Sequence, residues 1–355
     1  MIILHPRYIL AAQPINLLAN VARELYNCTM NILKTLFENQ QAVLADGAMG
    51  TSLFEAGLQF GDPPDLWNIL HPDRVRAIQR RYIEAGSQII LTNTFGGTRF
   101  RLKLHKLDGR VHELNRAGAE NLRAEVTASG KPVLVAGDIG PSGEIMAPLG
   151  DLTFDAAVDG FAEQAAGLAA GGVDLFWIET MSDLDEVRAA IEGARRAAPH
   201  LPIICTLSFD THGCTMMGVT PETAAKFMRD QGLFAGGGNC GNGSDEMLEV
   251  VRRMHAAEPE LIVVAKSNAG MPVLVQGKAV YQATPEEMGE FAVRARALGA
   301  RLIGGCCGNN QNHIQAMATR LQNTAYEPQA PAIAGTAPAP AKKVPVQRAN
   351  RRRAT

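Results

Sequence analysis

The sequence predicts an α/β fold, a (β/α)8 barrel forming a single catalytic domain. Three observations carry this. Short apolar runs recur eight times, a helix-periodic segment follows each, and polar residues with glycine gather where the runs end.

The runs are Ala42–Asp46, Ser87–Thr94, Pro132–Asp138, Val173–Glu179, Pro202–Phe209, Leu233–Cys240, Leu261–Asn268 and Arg301–Cys306. Most lack polar alternation, as expected of parallel strands buried on both faces. The intervening helices are expected at Asp73–Ala85, Val111–Ala128, Asp155–Ala170, Leu184–Ala197, Pro221–Gln231, Asp245–His255 and Pro285–Leu298, with His313–Leu321 after the last run. Two of them open on Thr-Pro-Glu, at 220–222 and 284–286, which supplies a capping hydroxyl and a proline at the first helical position. A doubly wound open sheet also alternates strands and helices. Eight units without a change in character favour the closed barrel.

The barrel is expected over residues 38–325, between an N-terminal extension (1–37) and a tail (326–355). Ile15–Glu38 carries apolar residues at helical spacing, and Met30 is a plausible alternative start. The tail is rich in Ala and Pro and ends in Arg351-Arg352-Arg353; it lacks the apolar residues to fold. At 355 residues the chain is long enough for a substantial core. A net charge of -2 gives no footprint for nucleic acid or an anionic membrane. Met1–Ala12 is too short to span a bilayer and is broken by Pro6 and Arg7. The six cysteines are irregularly spaced, unlike a secreted disulfide framework, so a reducing, cytoplasmic setting is expected. The oligomeric state, monomer or homo-oligomer, is open.

In a barrel the carboxyl ends of the strands share one mouth. Strands six and eight flank strand seven, so Cys240 is expected on the same rim as the pair Cys306-Cys307. Competing readings are small buried residues packed near glycines, or a strained redox pair. The presence of all three on one rim favours a metal. Three thiolates suit Zn²⁺ and leave a fourth position open, the mark of a catalytic rather than a structural site. Such an electron-rich ion binds a further thiol and keeps it deprotonated, which suggests alkyl transfer to sulfur. HExxH is absent. Cys205 falls inside strand five and Cys214 in the loop beyond it.

Asp46 and Glu179 also end strands. They are either loop caps or the partners of a substrate ammonium group. Asp138, in a Gly-Pro-Ser-Gly context, reads as a turn residue. The histidines, including His105 and His313, lack a partner motif and read as surface or packing residues. Gly236–Gly241 satisfies G-x-G-x-x-G, but the strand after it offers Lys266 and no acid for a ribose hydroxyl, which argues against a dinucleotide.

Taken in order, Asp46-Gly47-Ala48-Met49-Gly50-Thr51, Thr92-Asn93-Thr94-Phe95, Gly140-Pro141-Ser142-Gly143, Glu179-Thr180, Gly238-Asn239-Cys240-Gly241, Asn268-Ala269-Gly270 and Gly304-Gly305-Cys306-Cys307-Gly308 resemble the zinc-dependent homocysteine S-methyltransferase family. The resemblance spans about residues 38–324 and implies a (β/α)8 barrel, homocysteine as methyl acceptor and methionine as product. It implies Zn²⁺ on Cys240, Cys306 and Cys307, with Asp46, Gly47 and Glu179 on the amino-acid end of homocysteine. Family members use betaine, S-methylmethionine, S-adenosylmethionine or a cobalamin-bound methyl group. The stretches 64–68, 95–98, 102–105, 143–146 and 216–220 look most like bacterial betaine–homocysteine methyltransferases. The short chain beyond the barrel implies that any corrinoid partner is a separate protein. For the onium donor, Trp67 and Phe95 are the aromatic candidates, with Phe100 as a further one. The tyrosines of the animal betaine enzymes are missing: Thr180 follows Glu179, and Gly96-Gly97 follow Phe95. The donor pocket is therefore built otherwise, or the donor is different.

Overall fold

A computed structural model describes residues 30–329, except 39, 211, 276 and 277 and the side chains of 275, 278 and 279. Most of the expected Ile15–Glu38 helix and nearly all of the tail lie outside the described residues.

Eight parallel strands form the sheet: β1 (Val43–Leu44), β2 (Ile89–Leu91), β3 (Leu134–Ile139), β4 (Leu175–Met181), β5 (Ile203–Leu207), β6 (Ala235–Cys240), β7 (Val263–Ser267) and β8 (Ala300–Gly305). Each pairs with its sequence neighbour from β2 to β8, and β8 pairs with β1. A parallel bridge between Ala45 and Ile89 and a 2.7 Å bond from the Gln88 N–H to the Leu44 carbonyl close β1 onto β2. The expected (β/α)8 barrel is the observed fold.

The helices that follow the strands are α1 (Pro72–Ala85), α2 (Val111–Ser129), α3 (Phe154–Ala170), α4 (Leu184–Ala197), α5 (Pro221–Asp230), α6 (Ser244–Ala257), α7 (Pro285–Ala297) and α8 (Gln311–Asn323). The Thr-Pro-Glu signals act as expected. Thr220 and Thr284 each accept an N–H of the first helical turn, and Glu287 returns the bond to the Thr284 N–H.

Two apolar layers hold the molecule. One lies between sheet and helices; the other fills the barrel with alternate strand residues, among them Val43, Leu134, Trp177, Ile204 and Leu302. Leu33, Leu36 and Phe37, on a helix over residues 30–38, pack into that inner layer. Burying each contributes about 1.5–3 kcal/mol. This segment therefore belongs to the barrel's core, although its sequence placed it in an extension.

The strands are shorter than the apolar runs that announced them. The run Ser87–Thr94 yields only Ile89–Leu91 because its end bends into the site: the Thr92 and Thr94 hydroxyls lie 2.6 Å apart and bond the backbone of Asp138. Several elements were not anticipated, including the short helices Trp67–Leu70 and Arg99–Lys103 and the 3-10 turns Pro64–Leu66 and Asp108–Arg110 in the loops after β1 and β2. A helix at Met49–Glu55 follows β1, and an antiparallel hairpin, Val273–Val275 with Lys278–Val280, follows β7. Among the described residues no helix is long and apolar enough to cross a membrane.

Candidate active site

The register of the last three strands sets the thiols. Cys240 on β6 and Gly305 on β8 are both level with Ser267 on β7. Cys306 follows Gly305 and donates its N–H to the Ser267 carbonyl at 2.8 Å. The Cys240 and Cys306 sulfurs lie 2.8 Å apart, and those of Cys240, Cys306 and Cys307 all fall within 4.8 Å of one another. Gly308, with φ +81°, turns the chain after the pair; a Cβ there would also strike the Tyr281 side chain at 2.3 Å.

The thiols share hydrogen bonds. Those from Cys240, then Cys306 and Tyr281, hold the Cys307 thiol down to about 3 despite burial. The Cys306 and Cys307 contacts push Cys240 up. Three convergent soft donors fit a thiophilic divalent ion such as Zn²⁺. Cys205 is buried within β5 and apart from this cluster.

A cavity of about 440 Å³ opens beside the thiols, within the size range of small-molecule sites. Asp46, Asp65, Asp138 and Glu179 line it, with Lys266 the one buried cation among its lining residues. Asp46 is fully engaged: its Oδ1 accepts from Lys266 Nζ and its Oδ2 from the Leu91 N–H, both at 2.9 Å. Glu179 is not. Its Oε2 lies 3.9 Å from Lys266 Nζ, close enough for attraction but too far for a hydrogen bond, and finds no other partner. Burial, only partly offset by Lys266, pushes Glu179 up to about 7. Asp138 Oδ1 is likewise unpartnered, and burial followed by repulsion from Glu179 raises its carboxyl well above the usual range. Burial would lower Lys266, but Asp46 and Glu179 outweigh it and hold the ammonium charged.

Asn239 ties the acid side to the thiols. Its Oδ1 accepts the Thr180 N–H at 2.9 Å, and its Nδ2 donates to Thr180 Oγ1 at 2.7 Å. The same Nδ2 faces the Cys240 and Cys306 sulfurs at 3.7 and 3.8 Å. Thr180 and Cys240 both carry positive φ, +61° and +59°. Backbone strain of about 1–3 kcal/mol per residue is thus concentrated beside the reactive groups.

The structure brings Asp46, Gly47, Glu179, Phe95, Cys240, Cys306 and Cys307 to one cavity. Trp67 is the correction. It is buried, packed edge-on to His71 with Arg74 over its ring, and does not line the cavity. Its neighbour Asp65 does. The 3-10 turn Pro64–Leu66 leads directly into the helix Trp67–Leu70, which turns the indole inward. Phe100 packs against Gly160 of α3, also outside the cavity. Asp138, which read as a turn residue, faces the cavity, and His105 lies on its rim. His313 closes a reciprocal cap with Asn310. The G-x-G-x-x-G stretch falls mostly inside β6, so it forms no phosphate loop. Sequence reasoning missed Lys266, Asn239 and Tyr281. For Lys266, a lysine in an otherwise apolar run was the available signal.

A family model described as Homocysteine S-methyltransferase matches residues 43–321. Methionine synthase of Mycobacterium leprae (strain TN) is 33% identical over 307 residues, covering 82% of this chain and 25% of that protein. Methionine synthase of Mycobacterium tuberculosis (strain ATCC 25618 / H37Rv) is 32% identical over 313 residues, covering 82% and 26%. The chain thus spans about a quarter of the length of these curated relatives. Among solved structures, the metallated form of the homocysteine methyltransferase MmuM from Escherichia coli superposes with a TM-score of 0.68 at 24% identity, covering 81% of this chain and 99% of that one. At that identity the likeness speaks for the fold.

Proposed function

The chain belongs to the homocysteine S-methyltransferase family, and on that premise we propose that it methylates the sulfur of homocysteine to give methionine, using a small onium donor of which betaine is the first candidate. The observation that carries this reading is the facing of two unlike groups across one cavity: three clustered thiols, and the unpartnered oxygens of Glu179 and Asp138. A thiol-bearing amino acid has the matching pair, a sulfur and an ammonium.

Cys240, Cys306 and Cys307 would hold Zn²⁺, in line with the metallated form of the E. coli relative. Zn²⁺ bound there would keep the acceptor sulfur ionised at neutral pH. Glu179 Oε2 receives the substrate ammonium, with Asp138 alongside, and the Gly47 backbone on the cavity wall lies beside the amino-acid end. Asp46 acts one step removed, by fixing Lys266 between the acids. Methyl transfer then needs no general base from the protein. The net charge of -2 gives the chain no overall attraction for polyanions, which fits small-molecule substrates.

A second reading is favoured by the 33% and 32% identity to methionine synthases: the methyl group arrives on a corrinoid-bearing protein that docks at the mouth. Purified protein, Zn²⁺, homocysteine and a panel of betaine, S-methylmethionine, dimethylsulfoniopropionate and methylcobalamin separate the two, scored by methionine. The main reading expects turnover with an onium donor alone. Turnover with methylcobalamin only would transfer the case to the second reading, and no methionine with any donor would end the first.

A further inference from the structure

We propose that the barrel carries a second ligand site at the amino ends of its strands, built around Arg296, and that this site takes a small organic carboxylate. The site is independent of the methyltransferase reading, because it lies at the opposite end of the barrel from the thiols.

Space is the first argument. A cavity of about 370 Å³ opens where β1 closes onto β2. Leu44 and Gln88 line it from that seam, Arg296 from α7, and Ala318, Leu321 and Gln322 from α8. Its volume falls within the range of small-molecule sites. Small residues stand where α1 and α8 meet over it. Gly86 ends α1 at φ +106°, and a Cβ there would come within 3.3 Å of the Ala318 Cβ. A larger side chain in place of Ala318 would take up the space.

Charge is the second. Arg296 is only 6% exposed, and none of its hydrogen bonds goes to a carboxylate. Its terminal nitrogens donate to the carbonyls of Leu321 at 2.9 Å, Thr324 at 2.8 Å and Ala325 at 3.2 Å, around the end of α8. The Tyr326 ring lies 5.8 Å from its guanidinium carbon and adds no counter-charge. Carbonyls carry partial charges and a guanidinium carries a whole one, so the buried cation is only partly compensated. The Arg296 Nε–H has no acceptor at all among the described residues. Burying a donor in that state costs about 1–3 kcal/mol. A carboxylate in the cavity supplies both the missing acceptor and the missing charge.

The remaining wall suits the rest of such a ligand. Gln88 Oε1 accepts the Leu44 N–H at 3.2 Å, which leaves the amide N–H groups of Gln88 for a second carboxylate oxygen. Leu44, Ala318 and Leu321 offer apolar surface to a short carbon chain. The amino end of a (β/α)8 barrel serves stability rather than chemistry. The consequence of binding is therefore a firmer barrel, not turnover: a ligand here joins α7 and α8 to the short β1–β2 seam.

The test titrates butyrate, and separately its neutral amide butyramide, into the full-length protein by calorimetry. Butyrate is expected to bind at one site, at least about tenfold more tightly than butyramide, the scale of a charge-assisted hydrogen bond. It should also raise the Tm, as any ligand of the native state alone does. Ala318→Leu fills the cavity and leaves Arg296 in place; it is expected to abolish both effects. Arg296→Gln should weaken butyrate by about the same tenfold and leave butyramide unchanged. If that variant fails to fold, Ala318→Leu decides. Glu179→Gln, at the mouth, should bind butyrate as wild type does. No heat with wild type, or equal affinities for butyrate and butyramide, would overturn the assignment. So would wild-type binding in Ala318→Leu. Loss of butyrate binding in Glu179→Gln would also overturn it, by placing the anion at the mouth.

Discussion

The Lys266 ammonium donates to Asp46 Oδ1 at 2.9 Å, and both side chains are almost wholly withdrawn from water. The pair crosses the barrel from β7 to the end of β1, with the ammonium 5.0 Å above the Trp177 ring. It gives the cavity its polarity, because it saturates one acid and leaves the others to ligands. Lys266→Met removes the buried cation from among four acids. We expect a loss of about 3–5 kcal/mol in urea unfolding, the scale for breaking a buried ion pair from one side. A loss under about 1 kcal/mol would show that the acids are protonated and indifferent to it.

Asp46 and Glu179 should separate in kinetics. Glu179 has a free oxygen and Asp46 has none. Glu179→Gln is expected to raise the homocysteine KM by about 10–100-fold, equivalent to a charge-assisted hydrogen bond of about 1.5–3 kcal/mol. Asp46→Asn should act mainly on stability. The reverse order of KM effects in steady-state assays would place the substrate ammonium on Asp46.

Asn239 holds Thr180 at positive φ and points its amide N–H groups at two sulfurs. Asn239→Ala is expected to weaken Zn²⁺ binding by about 10–100-fold in chelator competition, as loss of a group that orients metal ligands does. Asn239→Asp keeps an acceptor for the Thr180 N–H but loses the donors to sulfur. Wild-type metal affinity in both variants would reduce Asn239 to a backbone brace.

Asp65 makes a pH prediction whose sign follows from its raised carboxyl. The folded group ionises near about 7 against an ordinary 3.8. The native state therefore holds its proton longer than the unfolded chain does. Its ionisation costs no stability below about pH 4, an increasing amount as pH rises towards 7, and a constant amount above. Asp65→Asn should thus gain stability relative to wild type at pH 8 and little at pH 4. Equal Tm differences at the two pH values would contradict this.

The barrel was legible because its signal is redundant: eight buried runs, each followed by an amphipathic helix, leave few other topologies. The thiol cluster was legible for a related reason. Strand order alone puts the ends of β6 and β8 on either side of β7, and the register of Cys240 and Gly305 with Ser267 completes the convergence. What escaped depends on the facing of single side chains. Trp67 and Asp65 lie two residues apart, and the intervening 3-10 turn decides which of them meets the cavity. Asp138 resembled any acid before a Gly-Pro turn, and nothing local distinguishes an unpartnered oxygen from a capped one. Lys266 could be valued only once Asp46, distant in sequence, was seen to face it.

The central claim is that the open side of the three-thiol cluster receives the substrate's own sulfur. X-ray absorption on the Zn²⁺-loaded protein measures this directly, by counting sulfur neighbours before and after homocysteine is added. The account predicts three sulfurs rising to four. A count that stays at three when homocysteine saturates the protein, or that starts below three, would contradict it.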